Sequence, residues 1–377
     1  MQRDYDAIIV GASFAGLAVA RQLRGEVLLL DRNEVGAVQT SACGTPLWVL
    51  QALGVEESVL QVHERLVFRT PGRTVIYDLS AVPFCTFDYA KFCRGLLAQS
   101  RARFLRAGVT GLAESGVETS EGRFGAPLLV DCSGWRGVLV NDGVSSPLGR
   151  SFSFAIETRA PAVDDGLFFW LDSRIIPRGI AWLFPVADGS LIGLGSYAGE
   201  TKLTRPLRRF LEELQTGPGR YHGTYFPHAL RPATAGRIFA VGDAAGQCLP
   251  LTAEGIRPAV FFGQECGKII QQILDGRLSH AEGLAAYRVL VERFRWAYRW
   301  LRLTQSFVTH APSRWLGAVA ALAHRPHLRA RWWPRYGRFG PLDPALPASL
   351  SPLPETGGMG HTWGPMGTRG GVMGGTS

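Results

Sequence analysis

Near the start of the chain, Gly11-Ala12-Ser13-Phe14-Ala15-Gly16 is followed, fifteen residues past its end, by Asp31. A pyrophosphate bound at a strand-to-helix turn needs three things: a residue without a Cβ at the turn, a small residue where backbone meets phosphate, and a glycine where helix and strand pack closely. An acid at the tip of the next strand then accepts hydrogen bonds from ribose hydroxyls. Ser13 stands where the second glycine usually does; it keeps the close approach and adds a hydroxyl. A turn that holds no nucleotide accounts for Gly11 but not for Asp31.

A second constellation narrows the cofactor. Ile238 to Gly246 (IFAVGDAAG) and then Pro250-Leu251-Thr252-Ala253-Glu254-Gly255-Ile256 put Asp243 at the end of a strand, with a helix N-terminus behind it. Such an acid can bond a ribityl chain, and the positive end of a helix stabilises the negative charge of a reduced flavin. A nicotinamide-only dehydrogenase needs no second cradle, so FAD is the expected cofactor. The expected cofactor-binding residues are Gly11, Ala12, Ser13, Ala15, Gly16, Asp31, Arg32, Val109, Gly242, Asp243, Gly255 and Ile256.

The elements that must position these residues follow from hydrophobic spacing. Tyr5 to Val10, a helix over Ser13 to Arg24, and Val27 to Leu30 form a unit the size of one parallel βαβ motif. Asp88 to Gln99 reads as a helix capped by Asp88, and Ala126 to Val130 as a buried strand running into Asp131-Cys132-Ser133-Gly134. Between Ser151 and Tyr197 the texture changes to alternating strands (151–158, 166–171, 179–186, 191–197) with Asp188-Gly189 as a hairpin turn. An α/β pattern returns with a strand over Arg237 to Val241 and a long helix over Gly255 to Leu274; Ser279 to Leu303 reads as a further helix.

The expected fold class is therefore α/β: a Rossmann-like FAD-binding domain, an inserted antiparallel β-sheet substrate domain and a helical C-terminal region. The expected division is 1–60, 85–145 and 232–276 for FAD, 61–84 and 146–231 for substrate, 277–340 for a basic helical region, and 341–377 for a disordered tail. That tail holds nine glycines and six prolines in 37 residues.

The paired motifs, with Asp131-Cys132-Ser133-Gly134 between them, resemble the flavoprotein group of para-hydroxybenzoate-hydroxylase-type monooxygenases, flavin-dependent halogenases and geranylgeranyl reductases. The Gly242–Gly246 and Pro250–Ile256 stretches, Trp182-Leu183-Phe184-Pro185 with Gly193 and Gly195 downstream, and Ser41-Ala42-Cys43-Gly44 are most similar to the geranylgeranyl reductase branch. The resemblance covers roughly residues 4 to 275. It implies hydride delivery from reduced FAD to one carbon of an alkene and protonation of the other, on an isoprenoid or similarly lipophilic substrate. Cys43 is the expected flavin-face, catalytic residue, and Phe169, Trp170, Trp182 and Phe184 the expected apolar tunnel. The electron donor is expected to be NAD(P)H or another donor bound transiently, since no second dinucleotide fingerprint is present.

The chain departs from that branch at three positions: Ile180 replaces the usual tyrosine, Ala253 a glycine and Tyr89 an arginine. A halogenase would carry a second tryptophan where Ile180 stands and a placed lysine; the three lysines, Lys91, Lys202 and Lys268, do not fit. A flavin monooxygenase or epoxidase is the main alternative, because that chemistry needs chiefly a dry pocket. The third reading is a binding protein in which FAD is only structural.

Composition sets the remaining bounds. Of the 377 residues 46% are hydrophobic and 19% charged, which excludes a largely disordered chain and a multispanning one. The six cysteines lack zinc-site spacing and are expected as reduced thiols in a cytoplasmic protein. No metal is expected. Ala7 to Ala20 resembles a signal peptide, but Asp4 and Asp6 before it argue against secretion.

Net charge is +9, yet Arg293 to Leu342 holds ten arginines and no acid, leaving the rest near neutral. Written as a helix, Arg295, Arg299 and Arg302 share one face and Trp296, Trp300 and Leu303 the adjoining one. That pattern suits peripheral membrane contact through residues 293–342; packing against the chain's own acidic surface is the alternative. Nucleic acid is not expected, because no module for it accompanies the charge.

Overall fold

The structure, a computed structural model, describes residues 5–39, 41–141, 152–161, 164, 166–311, 313–325, 327–328 and 336. The tail beyond 336, with its glycines, prolines and methionines, lies outside them, as do Trp332, Trp333 and four of the ten late arginines.

Continuous apolar runs are suited to strands buried on both faces. Ala7–Val10, Val27–Asp31 and Leu128–Asp131 are such runs, and they form the centre of a six-stranded sheet. Its spatial order is Thr234–Ala235, Ile238–Ala240, Leu128–Asp131, Ala7–Val10, Val27–Asp31, Arg103–Arg106. Every pairing is parallel except that of the short outer hairpin, Thr234–Ala235 with Ile238–Ala240. The carboxyl ends of five strands are thereby brought to one edge, the usual place for a ligand in an open parallel sheet.

In chain order the helices among the described residues are α1 (Phe14–Ala20), α2 (Leu47–Leu53), α3 (Tyr89–Ala98), α4 (Thr204–Glu213), α5 (Ile256–Leu274), α6 (His280–Glu292), α7 (Arg295–His310) and α8 (Ser313–Ala323). α1 is shorter than its hydrophobic pattern predicts and buried at every residue. It packs on α5, where Gly263 and Gly267 allow the backbones to meet: a Cβ at either would fall within 3 Å of α1 backbone oxygens. The single helix expected over 279–303 is two. Ser279 and Glu282 form a capping box that starts α6, and the chain breaks between Glu292 and Arg295 before α7 begins.

The inserted sheet has seven strands in the order Tyr221–Pro227, Phe152–Ala160, Gly189–Ser196, Gly179–Val186, Leu167–Trp170, Arg65–Thr70, Arg73–Asp78. It is antiparallel except where Leu167–Trp170 runs parallel to Arg65–Thr70. Side chains alternate between its faces. One face packs Ile156, Phe168, Ala181, Leu183 and Ile192 against Leu207, Phe210 and Leu211 of α4. The opposite face carries Phe68, Phe169 and Phe184, over a small core of Leu66, Val75 and Tyr77.

Candidate functional site

The fingerprint turn has the geometry its residue types predict. Gly11 has φ +107°, and a Cβ there would lie 2.2 Å from the Cys132 carbonyl oxygen; a Cβ on Gly16 would lie 1.8 Å from that of Gly11. Only hydrogen fits at these two sites. Asp31 closes the turn from the next strand: its Oδ2 accepts from the Ala12 N–H at 2.9 Å and its Oδ1 from the Asn33 N–H at 2.9 Å. The Ala107 N–H donates to the Asp31 carbonyl, so the segment leading to Val109 runs beside Asp31 and exposed Arg32. The Ser13 hydroxyl shares a 2.9 Å hydrogen bond with the Tyr89 hydroxyl. Tyr89, noted in the sequence only as a departure, thus orients a side chain of the turn.

Asp131 has a structural role. Fully buried, it accepts from the Ser133 N–H and hydroxyl through Oδ1 and from the Leu139 and Val140 N–H groups through Oδ2. Those four bonds hold the loop after the central strand.

Asp243 is different. It follows the Ile238–Ala240 strand beside Gly242, is half-buried, and has no hydrogen-bond donor to its carboxylate among the described residues. Burial pushes its carboxyl up to about 6, against the opposing pull of Arg231. A Cβ built on Gly255, the residue before α5, would stand 4.0 Å from Asp243 Oδ1 and meet nothing closer than 3.7 Å. An acceptor without donors, set against open backbone at the start of a 19-residue helix, fits the hydroxyl-rich ribityl chain of FAD.

The loop between Asp243 and α5 is strained and tied down. Leu251 and Ala253 have φ +69° and +54°, a region costly for residues with a Cβ. Leu251 is held from both sides: its N–H donates to Gln305 Oε1 of α7 at 2.8 Å, and its carbonyl accepts from the Tyr197 hydroxyl at 2.5 Å. Behind it, Glu254 pairs with fully buried Arg257 and accepts from the Tyr336 hydroxyl at 2.5 Å.

One row of residues crosses the inserted sheet at matched register: His222, Glu157, Gly193, Trp182, Phe169 and Phe68. The Trp182 indole lies across Gly193, where a Cβ would sit 2.2 Å from the ring, and its Nε1–H donates to Glu157 Oε2 at 2.8 Å. Glu157 Oε1 lies 3.3 Å from His222 Nε2. Phe169 stacks on Phe68 and meets Phe184 edge-on, both at 5.3 Å between centroids.

Three of the four expected tunnel aromatics, Phe169, Trp182 and Phe184, therefore share a face. Trp170 does not: strand alternation turns it to the other side, edge-on to Phe210 of α4 at 5.0 Å. Glu157 and His222 were not expected from the sequence; the signal for them was Gly193, since a glycine inside a strand marks close approach by another group.

Cys43 joins the two halves. It is buried, with φ +53°, and the next residue, Gly44, lies so close to the Phe184 ring that a Cβ would be 2.8 Å from it. Its Sγ–H donates to the Ser41 carbonyl at 3.3 Å. Burial, reinforced by the charge of Glu157, pushes the thiol far above its ordinary value, so Cys43 carries its proton. All six cysteines are free and buried.

No protein-family model matches the chain. Digeranylgeranylglycerophospholipid reductase 2 of Methanopyrus kandleri is 23% identical over 338 residues, covering 76% of this chain and 81% of that protein. Its namesake from Methanothermobacter thermautotrophicus is 27% identical over 312 residues, 71% and 77% of the two chains. Among solved structures, a geranylgeranyl bacteriochlorophyll reductase-like protein from Thermoplasma acidophilum superimposes with a TM-score of 0.77 at 19% identity over 86% of this chain and 92% of its own. A p-nitrophenol 4-monooxygenase from Pseudomonas putida gives 0.71 at 13% identity over 90% and 100%. A flavin-dependent brominase gives 0.71 at 16% over 92% and 97%.

Proposed function

We propose that the chain is an FAD-dependent oxidoreductase of the geranylgeranyl reductase type and that it saturates carbon–carbon double bonds of an isoprenoid lipid. The observation that carries the reading is the close approach of Gly44, next to buried Cys43, to the aromatic face of the inserted sheet at Phe184. The relatives' names point to the same class of substrate.

In this reading Gly11, Ala12, Ser13, Ala15 and Gly16 cradle the pyrophosphate, Asp31 with Arg32 and Val109 takes the adenosine end, and Gly242, Asp243, Gly255 and Ile256 hold the ribityl and ring end. Held by these residues and reduced by NAD(P)H or another transient donor, FAD would contribute hydride chemistry at one alkene carbon. The residues supply the rest. Phe169, Trp182 and Phe184 hold the chain in register and exclude water, and Cys43, kept as a neutral thiol, is the nearby group able to give the second carbon its proton. An isolated alkene is a poor electrophile, so alignment must carry much of the rate. A lipid of this kind also places the enzyme at a membrane.

The test uses reduced enzyme and a geranylgeranyl lipid without oxygen. The expected product gains two hydrogens per double bond. A product that gains one oxygen atom, and only in air, would make the enzyme a monooxygenase, the reading to which the p-nitrophenol hydroxylase fold lends support.

A further inference from the structure

α7 and α8 each have one face held by the body of the protein and one face bare. On α7, Tyr298 is buried and donates to the Gln247 carbonyl at 2.5 Å, and buried Gln305 accepts from Leu251. Its bare side carries Trp296, Trp300, Leu303 and Phe307, spaced by four, three and four residues and therefore aligned in one stripe. They are 64%, 54%, 54% and 51% exposed. α8 repeats the arrangement: Leu316 is buried and Gly317 lies against Thr70 and Arg73, while Trp315, Val319 and Leu322, spaced by four and three, stand exposed.

Charge says what covers these stripes. Neither helix contains an acidic residue. Arg295, Arg299 and Arg302 precede Trp296, Trp300 and Leu303 by one position each, so a basic edge runs along the apolar stripe of α7. Arg295 pairs with Glu292, but Arg299 and Arg302 are exposed and have no carboxylate within ion-pair distance among the described residues. Indole beside guanidinium is the pairing that an interfacial helix uses, with the ring at the headgroup level and the cation on lipid phosphate. No helix among the described residues is long and apolar enough to cross a membrane, so the contact is lateral.

We infer that the bare faces of α7 and α8 form a docking surface for an anionic lipid bilayer. Of the two expectations for this segment, membrane contact is favoured for α7 by the burial of Tyr298 and Gln305 and the exposure of Trp296, Trp300, Arg299 and Arg302. The position has a consequence for substrate entry. α7 is bonded to the loop at the cofactor cradle, and α8 lies against the Arg65–Thr70 and Arg73–Asp78 strands, with His324 edge-on to Tyr77 at 5.0 Å. Tyr77 belongs to the same core as Phe169 and Phe184. Docking through these helices brings the lipid phase to the side of the molecule where the proposed site lies.

The test is flotation of the full-length, FAD-loaded protein with vesicles of phosphatidylglycerol and phosphatidylcholine in equal parts, and with phosphatidylcholine alone. Flavin content serves as the check on folding. The expected result is binding that favours the anionic vesicles and weakens with salt. W300S/F307S should lower partitioning about tenfold or more, and R299E/R302E about fivefold per arginine on anionic vesicles only. Failure of the wild-type protein to float with anionic vesicles, or variants that float as well as wild type, would overturn the inference. So would a dimer that W300S/F307S converts to monomer in sedimentation without changing flotation, since the stripe would then be an interface between copies. Flotation is read without turnover, so its outcome is independent of the reductase reading.

Discussion

The indole N–H of Trp182 reaches over Gly193 to the buried carboxylate of Glu157, two strands away, and donates to it at 2.8 Å. A buried polar pair is stabilising when complete and costly when halved. Glu157→Leu strands the indole N–H and is expected to lower stability by about 1–3 kcal/mol, while Glu157→Gln keeps an acceptor and should cost less. Trp182→Phe in the Glu157→Leu background should cost less than the two changes separately. Denaturant unfolding of the four variants gives the coupling; strict additivity would mean that the bond is not formed in solution.

Gly193→Ala tests the same geometry from below. The added methyl would sit 2.2 Å from the indole and 2.7 Å from the Ile156 carbonyl oxygen, so either ring or strand must move. Overpacking of this kind costs about 1–3 kcal/mol. Under the proposed function turnover should fall more than cofactor binding does, a split that separate measurements of flavin affinity and kcat will read.

The Asp243 carboxyl, pushed up to about 6 by burial, sets a pH dependence whose sign can be worked out. Its folded value lies above the ordinary aspartate value, so its contribution to the stability of cofactor-free protein is full below about pH 4 and is lost as pH rises through about 6. Under the proposed assignment FAD hydroxyls would donate to the ionised form, so cofactor affinity should move the other way. Titration calorimetry is expected to show FAD binding strengthen from pH 5 to 7, with a slope no steeper than about tenfold per pH unit. Asp243→Asn should flatten that slope, and Asp243→Ala should abolish flavin-bound protein.

Ala253 occupies a left-handed conformation at φ +54°, the backbone region that favours glycine. Ala253→Gly removes that strain and is expected to stabilise the protein by about 1 kcal/mol, the size of the left-handed penalty less the added chain entropy of glycine. A raised melting temperature with flavin still bound is the expected observation; a lowered one would place the loop outside this conformation.

Burial of all six thiols predicts slow chemistry. In native protein at pH 8 an aromatic disulfide reagent should titrate none of them rapidly, Cys43 included, because burial keeps its thiol protonated. One fast equivalent that is lost in Cys43→Ser would mean that this thiol opens to solvent.

Much of the cofactor half was legible from local chemistry. Gly11, Gly16 and Asp31 must stand in that order around a strand, a turn and a helix, because backbone clearance and hydrogen-bond reach are short-range constraints. Asp88 as the cap of α3 was legible for the same reason, whereas the hairpin turn falls one residue earlier than expected, at Ala187-Asp188, with Gly189 already paired with Val186 in the strand. The substrate face was only half legible. Aromatics at 169, 170, 182 and 184 announce an apolar sheet, but which side each takes depends on pairing register, and register turned Trp170 to α4.

What the sequence determined by itself is the class of protein: a two-motif flavin cradle, an inserted sheet, and a charge confined to some fifty residues. Only the tertiary structure decided that Glu157 lies under Trp182, that Tyr89 answers Ser13, that Tyr197 and Gln305 pin Leu251, and that α7 turns its tryptophans outward. The physical reason is common to all four. Each is fixed by contacts between segments far apart in the chain, and residue type and spacing within one segment carry no record of which other segment will be packed against it.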